Sequence, residues 1–198
     1  MSMIINPYFV QPTSSCPYPT DGAITQIGTL STTAAWQPAY GLYDYSMSAN
    51  IYSLGLTSLQ ITGVQVQVQS YTGGYTYLNQ ELWMGVISNA TFPTSTPQVN
   101  FSDLTFTVPL TKVKNSFTYT PVNNTWQTFT FDTPFCYTGT SNYVLFVWYN
   151  YDGSWTSGYG GGQVANVVSK NMYAVQDTTF PTGTGTRTNF PLLIKIIT

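Results

Sequence analysis

Tyr143-Val144-Leu145-Phe146-Val147-Trp148-Tyr149 is a run of seven apolar or aromatic residues with no charge, glycine or proline. Side chains of a strand point alternately to opposite faces. A run that is apolar at odd and even positions alike needs cover on both sides, so this stretch reads as a central strand. It is far short of the about 20 residues a bilayer span requires, and no membrane insertion is expected. Around it lie half-buried patterns. Val64, Val66 and Val68 alternate with Gln65, Gln67 and Gln69, and in Gln127-Thr-Phe-Thr-Phe131 the rings of Phe129 and Phe131 share one face. Leu104, Phe106, Val108 and Leu110 alternate with Thr105 and Thr107, while Pro109, which cannot donate to a ladder, implies an edge or a strand end.

Further strands are expected over residues 3–10, 23–28, 49–52, 77–87, 117–119, 164–169 and 190–197. Turn-formers separate them: Thr72-Gly-Gly, Phe92-Pro through Pro97, Val122-Asn-Asn, Thr138-Gly, Asp152-Gly, Gly160-Gly-Gly and Thr182-Gly-Thr-Gly. No window keeps apolar residues at helical spacing without interruption. The chain is therefore expected to be all-β, a two-sheet antiparallel β-sandwich, jelly-roll-like, with residues 23–198 as one domain. Residues 1–22, punctuated by Pro7, Pro12, Pro17 and Pro19, read as an extended N-terminal arm or a first strand.

Of the 198 residues, 16% are aromatic and only 6% are charged, against about 25% charged in an average soluble domain. The surface is therefore expected to be Thr, Ser, Asn, Gln and Tyr. Lys112, Lys114, Lys170, Arg187 and Lys195 are scattered, which leaves no footprint for neutralising phosphates, and no nucleic acid partner is expected. The sequence has no histidine, so imidazole is missing as base, ligand or switch. No two acidic residues have a spacing that commends them as a hydrolytic pair. An enzyme is not expected, nor is a cofactor or a metal. Asp132, ahead of Thr133-Pro-Phe, reads as a turn-initiating residue in preference to a calcium ligand.

The start, Met1-Ser-Met-Ile-Ile-Asn-Pro-Tyr, has neither the basic nor the long apolar part of a secretory signal. Synthesis in a cytoplasm is expected. Cys16 and Cys136 are then expected as two buried free thiols, with a disulfide as the alternative in an oxidising location. The sequons at Asn89, Asn100 and Asn123 are chance matches in a Thr-rich chain. An exterior suited to the outside of cells, on a chain without an export signal, is reconciled by release through lysis, as virus particles are released.

The segment Ile27-Gly-Thr-Leu-Ser-Thr-Thr, continuing through Pro38 to Tyr43-Asp-Tyr-Ser-Met-Ser-Ala-Asn-Ile-Tyr52, resembles a recurring module of Bacteroidota surface and secreted proteins. The resemblance continues through Ile61-Thr-Gly-Val-Gln-Val, Glu81-Leu-Trp-Met-Gly-Val and Phe101-Ser-Asp-Leu to Trp126-Gln-Thr-Phe-Thr-Phe-Asp-Thr-Pro-Phe-Cys-Tyr and the apolar strand after it. It covers roughly residues 27 to 155. What it implies is a β-sandwich used for adhesion or display, without a catalytic signature.

Two loops carry the candidate contact residues. Tyr149-Asn-Tyr-Asp-Gly-Ser-Trp-Thr-Ser-Gly-Tyr159 brings Tyr149, Tyr151, Trp155 and Tyr159 beside Asp152, and flat rings next to amides and carboxylates suit a sugar or a protein partner. Tyr43 and Tyr45 flank Asp44 in a second aromatic turn. The expected role is a non-enzymatic structural or display protein of a bacteriophage particle, a capsid decoration, head fibre or tail component. Its partners would be other virion proteins and further copies of itself. The alternative is a carbohydrate-binding module that recognises a host surface polysaccharide.

Overall fold

The computed structural model describes residues 16–198 apart from 19, 35–36, 56, 70–73, 94–97, 140–142, 157–161 and 168. Its strands in chain order are β1 (Ile24–Ile27), β2 (Thr32–Ala34), β3 (Tyr45–Tyr52), β4 (Leu59–Val68), β5 (Tyr77–Ile87), β6 (Val99–Asn100), β7 (Phe106–Tyr119), β8 (Thr125–Tyr137), β9 (Tyr143–Asn150), β10 (Gly162–Val164), β11 (Asn171–Gln176), β12 (Thr184–Thr188) and β13 (Ile194–Ile197). A single 3-10 turn, Phe101–Asp103, is the helical element among the described residues, and no helix there is long and apolar enough to cross a membrane.

Two antiparallel sheets pack face to face. One carries the order β1-β13-β4-β8, and the other β3-β9-β5-β7. Along the chain these eight strands alternate between the sheets, except that β5 and β7 follow each other in the same one. That is the double Greek key of a jelly roll, as the sequence pattern led us to expect. Short β2 and β10 extend the first sheet, while β11, β12 and β6 extend the second beyond β3.

The alternation of the strands builds the core between the sheets. Val64, Val66 and Val68 of β4 point inward, while Gln65 and Gln67 are half-exposed. Opposite them, Leu82, Met84 and Val86 of β5 and Val144, Phe146 and Trp148 of β9 supply the facing layer. The rings of Phe117, Tyr119, Phe129 and Trp148 meet at centroid separations of 5.1 to 5.7 Å. Aromatic pairs at such offsets add to the stabilisation from buried area.

The odd positions of β9 explain why Tyr143 to Tyr149 is apolar throughout. Leu145, Val147 and Tyr149 point away from the sandwich, together with Met47, Ala49 and Ile51 of β3. They pack under Phe92, Val99 and Leu104 from the connection between β5 and β7. The second sheet is thus covered on both faces, and the molecule has a third layer.

Several sequence expectations change in the structure. Cys16 and Cys136 were expected as free thiols; the structure joins them in a disulfide. Their Cα atoms lie 5.6 Å apart, inside the window a disulfide needs, because Cys136 on β8 sits opposite Gln60 at the start of β4 and residue 16 reaches that corner. The strands expected over 104–110 and 117–119 are one long strand, β7, which lies at a sheet edge as Pro109 implied. The strand expected over 164–169 ends at Val164, and Thr182-Gly-Thr-Gly, read as a turn, leads into β12. The expected strand over residues 3–10 lies outside the described residues.

Candidate functional site

The outer cover of the second sheet gives way to rings at one end. Tyr149 closes β9 on that face, directly opposite Glu81 of β5 and Met47 of β3. Around it stand Tyr45, Trp83, Tyr151 and Phe180, each only partly buried. The rings form one chain of contacts. Trp83 meets Tyr149 edge-on at 5.9 Å, Tyr149 meets Phe180 at 5.2 Å, and Phe180 meets Tyr45 edge-on at 6.3 Å. Tyr151 lies stacked on Phe180 at 3.8 Å.

One ion pair borders these rings. Glu81 accepts from the indole N–H of Trp83 at 2.9 Å and from the Lys112 ammonium at 2.6 Å. Lys112 also stands over the Trp83 ring, 5.2 Å from its centroid. It is brought there by register, since Lys112 of β7 faces Trp83 of β5. Burial raises the Tyr149 hydroxyl pKa well above its ordinary value, with the Tyr151 hydroxyl and the Glu81 carboxylate adding to it. Burial and then Glu81 push Tyr151 up to about 12. Both phenols are therefore proton donors near neutral pH.

The residues singled out in the sequence divide into three groups. Tyr149, Tyr151 and Tyr45 come together in the ring cluster. Tyr43 instead packs edge-on against Tyr40 at 5.4 Å within its own turn. Asp152 is engaged in holding a loop: Tyr75 donates to it at 2.5 Å and the Leu78 amide at 3.1 Å. Trp155 is 63% exposed. Its loop is pinned by Gly153 N–H to the Asp44 carbonyl at 2.9 Å and Thr156 N–H to the Gly41 carbonyl at 2.7 Å. Tyr159 lies outside the described residues.

No protein-family model matches the chain, and no curated protein matches it. Its chemistry is read from its own geometry. Sequence reasoning missed Trp83, Glu81, Lys112 and Phe180 as members of the cluster. Alternation along β5 marks Glu81 and Trp83 as sharing a face, yet only the pairing of β5 with β9 and of β9 with β3 brings that face to Tyr149.

The acidic residues show what the carboxylates do. Asp21 accepts from Ala23 N–H and the Thr198 hydroxyl, Asp103 from Asn100 N–H, and Asp132 from Asn115 N–H at 2.7 Å with Lys114 at 3.6 Å. Asp132 is thus not the turn-initiating residue the sequence led us to expect: it lies within β8 and links that strand of the first sheet to β7 of the second. Among the described residues, no three of His, Cys, Asp and Glu come together as a metal-binding group.

Proposed function

We propose that the protein is a non-enzymatic structural and display component of a bacteriophage particle, which works by packing, self-association and surface contact. The observation that carries this reading is the use made of the carboxylates. Five of the seven acidic residues, Asp21, Glu81, Asp103, Asp132 and Asp152, hold backbone amides, hydroxyls, an indole or lysines of the fold, while a cluster of partly open rings is what the second sheet offers outward. Such rings are the residue types that anchor protein contacts. A formal net charge of −2 keeps self-repulsion small, which favours many copies side by side. The disulfide suits a protein that acts after its cell has opened, because disulfides persist in oxidising surroundings. The resemblance of residues 27 to 155 to surface modules of Bacteroidota points the same way and suggests a host in that group.

The test is direct. Peptides of the chain should be found by mass spectrometry in gradient-purified particles, and light scattering should show a closed homo-oligomer. A strictly monomeric protein that is absent from purified particles would overturn the proposal.

A further inference from the structure

We propose that the cavity at the end of β3 is a binding site for a small monocarboxylate with an apolar tail of about five or six carbons. The inference does not rest on the chain's place in a particle. It rests on the lining of the cavity and on one cation that belongs to it.

Four segments meet there: the end of β1, the end of β3, the stretch that follows β10 and the one that leads into β13. Main-chain bonds pin the walls together. The Ile51 N–H donates to the Lys170 carbonyl at 2.9 Å and the Ala165 N–H to the Pro191 carbonyl at 3.0 Å, while the buried Tyr52 hydroxyl donates to the Leu192 carbonyl at 2.6 Å. The end of β1 comes close to the same wall at Gly28, where an added Cβ would lie 3.4 Å from the Ala165 Cβ. The cavity is therefore built by the backbone of the fold, as pre-formed ligand sites are.

Its lining is aliphatic. Ile27, Ile51, Ala165, Val167, Pro191 and Leu192 line it, and its volume is about 150 Å³. An apolar cavity of that size takes up benzene, so a short aliphatic or aromatic tail fills it and a long fatty chain does not fit.

The head group follows from Lys170, the one charged residue of the lining. It is partly buried, and the two ion pairs among the described residues belong to Lys112 and Lys114. The contact of its ammonium is with the ring of Tyr143, whose centroid lies 4.8 Å from Nζ. A ring face attracts a cation and carries no net charge, so the ammonium keeps both its positive charge and its N–H donors. Burial lowers the Lys170 pKa, as it does for an ammonium that has lost water without gaining a counter-ion. A carboxylate supplies the counter-charge and the acceptors together. One cation beside one apolar cavity thus matches one anionic head on one apolar tail. Inorganic phosphate would leave the aliphatic walls uncovered, and a hydrocarbon would leave Lys170 without its counter-ion.

Methyl-detected NMR of the full chain tests this, with hexanoate and benzoate as probes and hexanol and hexylammonium as the neutral and cationic controls. The carboxylates should shift the methyl signals of Ile27, Ile51, Ala165 and Leu192 and bind about tenfold or more tighter than hexanol, the scale of one charge-assisted hydrogen bond. Hexylammonium should bind weakest. Lys170→Met, which keeps the reach of the side chain and removes its charge, should bring hexanoate and hexanol to within about twofold of each other. Val167 is 39% exposed, so Val167→Trp should fill the opening without disturbing the core and abolish binding of both, which tests the cavity even should Lys170→Met fail to fold. Hexanoate binding no tighter than hexanol or hexylammonium, no shift of the lining methyls with either carboxylate, a preference unchanged in Lys170→Met, or binding untouched by Val167→Trp would overturn the proposal. So would an oligomer that Val167→Trp dissociates, which would assign the cavity to a side chain of a second copy.

Discussion

The indole N–H of Trp148 donates to the side-chain carbonyl of Gln80 at 2.8 Å, and both residues are fully buried. Gln80 in turn donates to Asn150 and to the Leu78 carbonyl. One buried amide therefore ties β5 to the end of β9, the end that carries Tyr149 and Tyr151. In the low dielectric of a core, a polar group without a partner is expensive. Gln80→Leu should strand the indole N–H and lower stability by about 2–4 kcal/mol. Urea unfolding followed by tryptophan fluorescence measures this, and an unchanged midpoint would show that the amide network is dispensable.

Cys16 and Cys136 are 120 residues apart, so the disulfide removes a large loop entropy from the unfolded chain. Reduction should cost about 2–5 kcal/mol. Urea midpoints with and without a phosphine reductant measure the difference, and Cys136→Ser should match the reduced protein. Thiol titration of the unreduced, unfolded protein should find no free cysteine.

The pH profile follows from the groups whose pKa shifts. Hydrogen bonds from Thr198 and then the Ala23 amide hold Asp21 below the usual carboxylate value, and the Asn115 amide and then Lys114 do the same for Asp132. Carboxylates depressed in the fold contribute stability that is present above the unfolded pKa and is lost as pH falls through the folded one. Stability should therefore decline below about pH 4. At the other end, burial raises Tyr52, Tyr149 and Tyr151. Their contribution is whole below the unfolded value of about 10 and is lost as pH rises beyond it. With no histidine, the interval from about pH 5 to 8 should be flat. Urea midpoints across pH test the shape. Tyrosinate absorbance tests the cause, since some phenols should ionise only near the Tyr151 value of about 12.

Gly63 lies where the β4–β8 register shifts, and a Cβ there would come within 2.8 Å of the Phe129 carbonyl oxygen and 3.3 Å of the Thr130 Cα. Both are backbone atoms of a paired strand, with little room to give. Gly63→Ala should cost about 1–3 kcal/mol, read as a lower thermal midpoint. Trp155→Ala, at an exposed position, should change stability by less than about 0.5 kcal/mol.

Much of the fold was legible because Val64, Val66 and Val68 of β4 and Phe129 and Phe131 of β8 alternate with polar residues and the turn residues between strands are explicit. β9 was placed as central by its lack of polar residues, and both of its faces are indeed covered. What escaped was non-local. β6, β11 and β12 are added in succession at the β3 edge of the second sheet, as in Met172 opposite Ala49 and Gly185 opposite Val99, and nothing in their own residues announces that. The same holds for the ring cluster. Tyr149, Tyr151 and Tyr45 were chosen for their type, whereas Phe180 sits among turn-forming residues and Lys112 looked like one of five isolated cations. Asp152 was attractive beside aromatics, yet its neighbours in space, Tyr75 and the Leu78 amide, engage it.

The layer that Phe92, Val99 and Leu104 lay over β3 and β9 has a bearing on how such a chain can diversify. A residue on β9 answers to two sets of neighbours, so exchanges there must suit both at once and will be few. The outward glutamines of β4 and the exposed Trp155 side chain answer to fewer neighbours. Descendants of this protein are therefore expected to differ first in those places, while the doubly enclosed strand drifts slowest.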